Sequence, residues 1–524
     1  MNCKVLITTS GTGARLRELT KNTNKALIRI GKKPAISYII EAYPKDTNFV
    51  VTLGYKGEQV KDFLELVYPE KEFTFVLIDK YEGAGASLGY SMLQTKINLQ
   101  EPFIYHACDT IIEGLLVPSL KENWVIGASV KNFDQYTSFH ISEDNLVTGF
   151  SKKKEGRLGD LAHVGLVGVR DYERYWRTLE RLYRENPNNS SLNDTITLSE
   201  MIKEGVCIRG ITSKIWLDIG NQESLNEARA KISDRFDNLD KVDESLFFFD
   251  SFVIKFFSNS EKVTNRVRRG EILGNLVPKT LEIRTNFYKY EYVNGDKYSE
   301  VVTPRDLGRF ITWAQKNLWK PETEIRQADF KEVCKCFYEL KTKERIEKFL
   351  EKNNLEDKSA IINNVSIPPI RDILTKIDFD WLSDGLQTGF HGDFILENIL
   401  KTKKGYILLD WRQDFGGLLR GGDMYYDLAK FYHNLVVNHD LVSKNKFTIN
   451  TNKDRIICKI ERKNNLLESE KEFEKIIRAN NLDMKKIEVL RALIWLNMSP
   501  LHHHPFGIFL FYFGKYHLWQ ALKK

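Results

Sequence analysis

Lys4-Val5-Leu6-Ile7-Thr8-Thr9-Ser10-Gly11-Thr12-Gly13-Ala14-Arg15-Leu16 is the stretch on which the reading of the fold turns. A β-rich run ends in small residues that let backbone N–H groups approach a phosphate chain, and Arg15 adds a charged fork. Alone, the turn suits a tight strand-to-helix connection equally well. The runs that follow, Pro34 to Tyr43, Phe49 to Gly54, Gly57 to Val67, Phe73 to Asp79, Ala84 to Leu93 and Phe103 to Ala107, alternate strand and helix patterns. Such alternation implies right-handed βαβ units and a mostly parallel sheet. Ligands bind at the carboxyl ends of strands in such sheets, which places the turn after Thr9 and the acidic Asp109 at one site.

With 524 residues the chain exceeds what one hydrophobic core supports. Gly220 leads into a helical pattern with Asn221 as its cap, and Lys231 to Ser245 is charged and poor in apolar residues, so a boundary is expected near Asp240. This gives domains at 1–235 and 241–524. Beyond the boundary lie strand-like runs, Leu246 to Phe257 and Asn286 to Tyr292, with a basic helical segment, Lys262 to Leu276, between them. Helical patterns dominate from Pro304 onward. Neither an internal repeat nor a low-complexity tract is visible.

Apolar residues make up 42% and charged residues 28%, the profile of a packed globular chain. The net charge of +7 is dispersed instead of gathered in a stripe, which argues against nucleic acid and suits phosphate-bearing small molecules. Cys3, Cys108, Cys207, Cys334, Cys336 and Cys458 lack the spacing of a disulfide framework or of a zinc site. Met1 to Thr9 runs straight into a strand pattern rather than a signal peptide, and no apolar stretch is long enough to span a bilayer. A cytoplasmic protein without membrane insertion is expected, with a homo-oligomer left open. Phe506 to Phe513 reads as a buried helix, and His502, His503 and His504 as a helix connection.

The first turn continues as Arg15-Leu16-x-x-Leu19-Thr20 and then Lys25. This resembles the GxGxRLxPLTxxxPK loop of the sugar-1-phosphate nucleotidyltransferases, with Glu18 and Asn24 at two proline positions. Gly83-Ala84-Gly85-Ala86, Cys108-Asp109-Thr110 and Trp216-Leu217-Asp218-Ile219-Gly220 are similar to further motifs of that family. The resemblance implies a Rossmann-like mixed-sheet α/β domain. Within it, Gly11, Gly13 and Gly83 face a nucleotide, Arg15 and Lys25 clamp its triphosphate, and Asp109 and Asp218 hold Mg²⁺. Those residue types suit the chemistry, since two anions must be aligned and their charge neutralised while pyrophosphate leaves. Lys152, Lys153 and Lys154 stand near an acceptor-phosphate lysine of the family, in a register the sequence leaves open, and Thr197 to Glu200 reads as a site or as a helix start.

His391-Gly392-Asp393-Phe394-x-x-Glu397-Asn398 precedes a strand that ends in Asp410-Trp411. This resembles the HGDxxxxN…DW arrangement of aminoglycoside phosphotransferases and choline kinases, which implies a protein-kinase-like α+β domain of two lobes, about 241–295 and 296–524. Asp393 would orient the acceptor hydroxyl, Asn398 and Asp410 would hold Mg²⁺, and Asp423 and Asp427 in Gly422-Asp423-x-x-Tyr426-Asp427-Leu428-Ala429 would brace the loop from behind. Lys255 would bind ATP phosphate and pair with Glu271, and Glu291 to Val293 would form a hinge contacting adenine. His391 reads as a packing residue.

Together the two resemblances imply a bifunctional enzyme. One head would phosphorylate a small sugar or alcohol with ATP; the other would transfer a nucleotidyl group from CTP, UTP, GTP or dTTP to that phosphate. The product would be an NDP-sugar or CDP-alcohol donor for surface glycans. A choline-type kinase and cytidylyltransferase, or one active head with the other degenerate and regulatory, are the alternatives.

Overall fold

The computed structural model describes residues 3–232, 241–323 and 325–523. They group into two compact units, one running to Ser260 and taking in Leu281–Tyr292, the other holding Glu261–Thr280 and Val293–Lys524. Asp240, the expected boundary, lies outside the described residues.

In the first unit the strand Lys4–Thr8 lies between Asn48–Leu53 and Phe103–Ala107, parallel to both, and Phe73–Leu77 adds a parallel edge. On the other side Leu161–Val169 runs antiparallel to Phe103–Ala107 and to Asn123–Ala128, and Ile208–Ser213 pairs in parallel with the latter. The sheet is therefore mixed, with its parallel half carrying the Gly-rich turn. Both faces are covered, which explains the unbroken apolar run Val5-Leu6-Ile7. Val5 and Ile7 join a core with Ile36, Ile40 and Phe63, while Leu6 points to the opposite core with Trp176 and Leu179.

Local chemistry moves two helix starts away from their expected places. The run from Ala84 becomes helical only at Leu88, because Gly83 and Gly85 have φ of 79° and 83° and Ser87 then caps Tyr90 N at 3.0 Å. Asn193 caps Ile196 N at 3.0 Å, so Thr197 to Glu200 lies inside the helix Asp194–Lys203 and not at its start.

Glu244–Phe248, Phe252–Phe257 and Phe287–Glu291 pair antiparallel in a sheet that Thr280–Ile283 completes as a fourth strand, so the strand-like run Leu246 to Phe257 holds two strands and not one. Their assignment differs from the expected small lobe at 241–295. Phe247, Ile254, Phe256 and Phe287 share one sheet face and are buried with Phe63 and Leu66 of the helix Gly57–Val67. The Phe63 and Phe247 rings stand 5.6 Å apart, and Lys289 Nζ donates to Leu66 O at 3.1 Å. A small sheet must bury its apolar face, and this four-stranded one does so against the first unit's own helix.

The second unit is mainly helical. It includes the basic segment, seen as the helix Ser260–Leu273 with a 3-10 turn to Leu276. The hairpin Ile399–Thr402 and Gly405–Leu408 follows the His391 loop, and the helix Met424–Val436 is buried on nearly every side. Met484–Met498 and Phe506–Lys523 pack through Trp495 and Phe513, whose rings lie 4.8 Å apart. Among the described residues no helix is long and apolar enough to cross a membrane.

Candidate active sites

The first site is assembled at the carboxyl end of Lys4–Thr8. Gly13 sits at φ 67°, and Asn24 fixes the loop by donating to Thr9 O at 2.9 Å and to Tyr55 O at 2.7 Å. A buried amide thus holds the turn where the family loop has a proline. Lys25 Nζ lies 3.2 Å from Asp109 Oδ2. Burial opposes the charge of both, yet each stabilises the other: the Asp109 carboxyl lies below the ordinary range and the Lys25 ammonium above it.

Asp218 reaches the same place through a short antiparallel ladder that sets it opposite Thr110, with Ile219 N donating to Asp109 O at 3.1 Å. Gly220 N and the Tyr136 hydroxyl donate to its two carboxylate oxygens at 2.8 and 3.0 Å. Burial pushes the Asp218 carboxyl up, and the charge of Asp109 adds to the shift. A Cβ placed on Gly220 would lie 3.1 Å from Asp218 Oδ1, 3.3 Å from Arg15 Nη2 and 3.4 Å from Asp109 Oδ2. Two carboxylates and a guanidinium therefore converge on one small space, and only glycine leaves it open. Carboxylate oxygens suit Mg²⁺. Among the described residues no cluster of three or more His, Cys, Asp or Glu forms a metal cage, so an ion between Asp109 and Asp218 would take its remaining ligands from phosphate or water. Gly11 and the exposed Gly83 have nothing within 4 Å of an added Cβ, which leaves both turns open to a ligand.

In the second unit Asp427 organises the loop. Its carboxylate accepts from His391 N and Gly392 N, both at 2.7 Å, and from Trp319 Nε1 at 3.1 Å. Asp423 caps the helix Met424–Val436 at Tyr425 N and accepts from Leu386 N, at 3.0 Å each, and from the Tyr338 hydroxyl at 2.6 Å. Both aspartates are buried and touch backbone and aromatic groups. His391 is buried, its Nε2 2.9 Å from Leu409 O, and burial pushes its imidazole down to about 4.

The loop holds Asp393 by both oxygens. Asn398 Nδ2 donates to Oδ2 at 3.2 Å and to the Asp393 carbonyl at 2.9 Å, while Lys430 Nζ lies 2.7 Å from Oδ1. Asp393 is half-buried, and Lys430 holds its carboxyl well below the usual range. Asp410 has φ 52°, and Arg266 Nη1 lies 2.6 Å from its Oδ1. Asn398 and Asp410 offer oxygen donors of the kind Mg²⁺ takes.

The remaining candidates lie as follows. Lys255 Nζ, buried, lies 3.9 Å from Glu244 on the adjoining strand, whereas its expected partner Glu271 is exposed on the helix Ser260–Leu273. From that helix Arg266 and Arg269 reach the loop region. Arg269 donates to Leu419 O at 2.8 Å and to Phe390 O, and stacks on the Phe390 ring at 3.8 Å. Glu291, exposed, ends a strand of the first unit, and Val293, half-buried, opens the second. Lys152, Lys153 and Lys154 are exposed. Tyr136, Lys430 and Arg266 complete these sites without a motif of their own in the sequence analysis. Only Lys430 had a usable signal, one residue beyond Ala429 in the Asp423 motif.

Over 255 residues the chain is 24% identical to the bifunctional protein GlmU of Methanocaldococcus jannaschii, a match covering 48% of this chain and 60% of that one. It is 32% identical over 114 residues to the choline-phosphate cytidylyltransferase of Streptococcus pneumoniae, covering 21% and 47%. The N-terminal region is nucleotidyltransferase-like. The chain spans only about half the length of these relatives. No family model matches it. Among solved structures, the CTP:phosphocholine cytidylyltransferase from Streptococcus pneumoniae aligns with 44% of this chain and 99% of its own, at 20% identity and a TM-score of 0.38.

Proposed function

We propose that the chain is a two-headed transferase: its second unit phosphorylates a small sugar or alcohol with ATP, and its first transfers a nucleotidyl group from a nucleoside triphosphate to the phosphate so made. The convergence of Arg15, Asp109 and Asp218 around Gly220 carries the reading for the first unit. Opposite charges crowd a space that bare carboxylates and a guanidinium leave open, as a site for phosphates and their counter-ion requires.

In the second unit the acceptor hydroxyl attacks the γ-phosphorus of ATP, its proton passes to Asp393, and ADP leaves. Asn398 and Lys430 hold the Asp393 carboxylate from either side, so its orientation is set before the acceptor arrives. In the first unit a phosphate oxygen of the product attacks the α-phosphorus of the second triphosphate, and pyrophosphate leaves. Arg15 and Lys25 align the triphosphate and offset its charge; no side-chain nucleophile takes part. Mg²⁺, held by Asp109 and Asp218 in one unit and by Asn398 and Asp410 in the other, would supply charge neutralisation on the phosphates. A choline-type acceptor is the second reading, favoured by the 32% match to choline-phosphate cytidylyltransferase.

The test is mass spectrometry of the full chain with Mg²⁺, ATP, the common nucleoside triphosphates and a panel of sugars and alcohols. A product joining acceptor and nucleoside diphosphate is expected. Asp109→Ala should abolish pyrophosphate release but not ADP release. Unchanged pyrophosphate release would remove Asp109 from the reaction, and a merely phosphorylated acceptor would mark the first unit as degenerate.

A further inference from the structure

We infer that the alcohol phosphorylated by the second unit carries an anionic group of its own, a carboxylate or a phosphate, bound by Lys341, Arg345 and Arg412 beside Asp393. This rests on the phosphotransfer reading above and names its substrate class.

Asp393 divides its surroundings in two. Oδ2 faces Asn398, and Oδ1 faces Lys430. On the Lys430 side the positive charge continues. Lys341 and Arg345 stand one turn apart on the helix Lys341–Asn353. Arg412 is tied to the catalytic loop, its N donating to His391 O at 2.9 Å and its Cβ 2.6 Å from where a Gly392 Cβ would stand. Lys341 Nζ lies 3.9 Å from the centroid of the Phe337 ring, and Arg412 Cζ 4.9 Å from the same centroid. One ring thus gathers both cations next to the loop. Phe337 is brought there by the π-helical turn Cys336–Leu340 that precedes Lys341, the kind of helix irregularity that recurs at functional sites.

Counter-charge is what this cluster lacks. Among the described residues Lys341, Arg345 and Arg412 make no ion pair, and Arg412 Nε is buried without a hydrogen-bond partner. The acidic neighbour that acts on Lys341 is Asp414, whose Oδ1 accepts from Gly417 N at 3.1 Å. Burial, reinforced by Arg412, Arg345 and Lys430, pushes the Lys341 ammonium down to about 6. A partly desolvated group of like charges is costly, and an arriving anion removes that cost while the guanidinium forks match carboxylate or phosphate oxygens. The same arrangement opposes choline. A quaternary ammonium needs open aromatic faces, and here Lys341 already lies over Phe337 among other cations.

The test uses the full chain with Mg²⁺ and ATP, and compares ADP release with glycerol, glycerate, glycerol phosphate and choline. Glycerate or glycerol phosphate should exceed glycerol and choline in kcat/KM by about tenfold or more, the worth of one charged hydrogen bond or two; whichever leads identifies the anion. The double variant Lys341→Met and Arg345→Met should bring glycerate and glycerol to near parity, and Lys341→Arg, which keeps the charge, should retain the preference. Inorganic phosphate provides a readout independent of turnover: it should raise the thermal midpoint of the wild type more than that of the double variant. Turnover favouring choline or glycerol, with the double variant unchanged, overturns the anion site and leaves the kinase standing. A phosphate response lost in the double variant, with no acceptor turned over, overturns the kinase reading and leaves the anion site standing. If neither acceptor preference nor phosphate response depends on these cations, the inference is refuted outright.

Discussion

Replacing Asp427 by alanine should unfasten the loop that carries Asp393. Its side chain is fully buried, at 0% exposure, and accepts from His391 N, Gly392 N and Trp319 Nε1. Alanine orphans three buried donors at once. Each costs about 1–3 kcal/mol when left unpaired, and water entering the vacated space recovers part, so a loss of about 3–5 kcal/mol is expected. Asparagine should cost about half as much, since it keeps one accepting oxygen but turns an N–H₂ toward another donor. Hydrogen exchange followed by mass spectrometry is the assay, on peptides spanning residues 385–400. If the loosening is local, about 3 kcal/mol speeds exchange of the His391 and Gly392 amides by roughly two orders of magnitude. Peptides from the helix Gly57–Val67 in the other unit should not change. Phosphotransfer should fall with the loosening, because a misplaced carboxylate no longer meets the acceptor hydroxyl. Unaltered exchange at His391 and Gly392, or an alanine variant no worse than asparagine, would refute the bracing argument.

Gly13→Ala should raise KM for the nucleoside triphosphate in steady-state pyrophosphate release. At φ 67° an L side chain is strained by about 1–2 kcal/mol, and its Cβ would stand 2.9 Å from Thr20 Cγ2 and 3.0 Å from Lys25 Cβ, displacing the lysine. Lys430→Met should lower ADP release by about a hundredfold with partial rescue by Lys430→Arg, and full turnover in the methionine variant would remove Lys430 from the reaction. Burial pushes His106 and His391 from 6.5 down to about 4. Both bind a proton more readily when unfolded, so their stability is fully present above pH 6.5 and is lost as pH falls toward 4, by about 2 kcal/mol per group at pH 5. Urea midpoints at pH 7 and pH 5 check this, and His106→Gln and His391→Gln should flatten the dependence in their own unit.

Much of the first sheet was legible because its signals are local. Gly57–Val67 and Phe103–Ala107 have the bounds their patterns predict, and Asn221 caps the next helix at Glu223 N and Ser224 N as its position suggests. Arg15, Asp109 and Asp218 are far apart in sequence but lie in short motifs, and the structure brings them around Gly220. Tyr136 was not legible. It reaches Asp218 from a loop with no pattern of its own, through a hydroxyl that any surface tyrosine carries. Lys341 and Arg345 were hidden for a different reason. In sequence they belong to a charged helix whose ordinary reading is a solvated face, and the π-helical turn that sets Phe337 against Lys341 has no sequence signature.

The small antiparallel sheet marks where sequence reasoning stops. Strand patterns mark Leu246 to Phe257 and Asn286 to Tyr292 as strand-like, and the structure resolves the first run into Glu244–Phe248 and Phe252–Phe257, the former starting within the charged stretch Lys231 to Ser245. Neither signal says which core the strands' apolar face fills, because periodicity gives a face and not its partner. The answer lies in the helix Gly57–Val67, nearly two hundred residues earlier, whose Phe63 is fully buried beside Phe247 and Phe287. Phe247, Ile254, Phe256 and Phe287 are each at most 2% exposed, and burial of such side chains contributes about 1.5–3 kcal/mol apiece. A chain cut at residue 235 would forfeit all four and leave Phe63 and Leu66 uncovered. The functional consequence follows from the connectivity. The helix Ser260–Leu273, which carries the arginines that hold Asp410 and the Phe390 carbonyl, is bounded on both sides in sequence by strands of the first unit's core. The nucleotidyltransferase-like unit is thus part of the covalent frame that supplies a structural helix to the second unit, and removing it would take away strands on both sides of that helix.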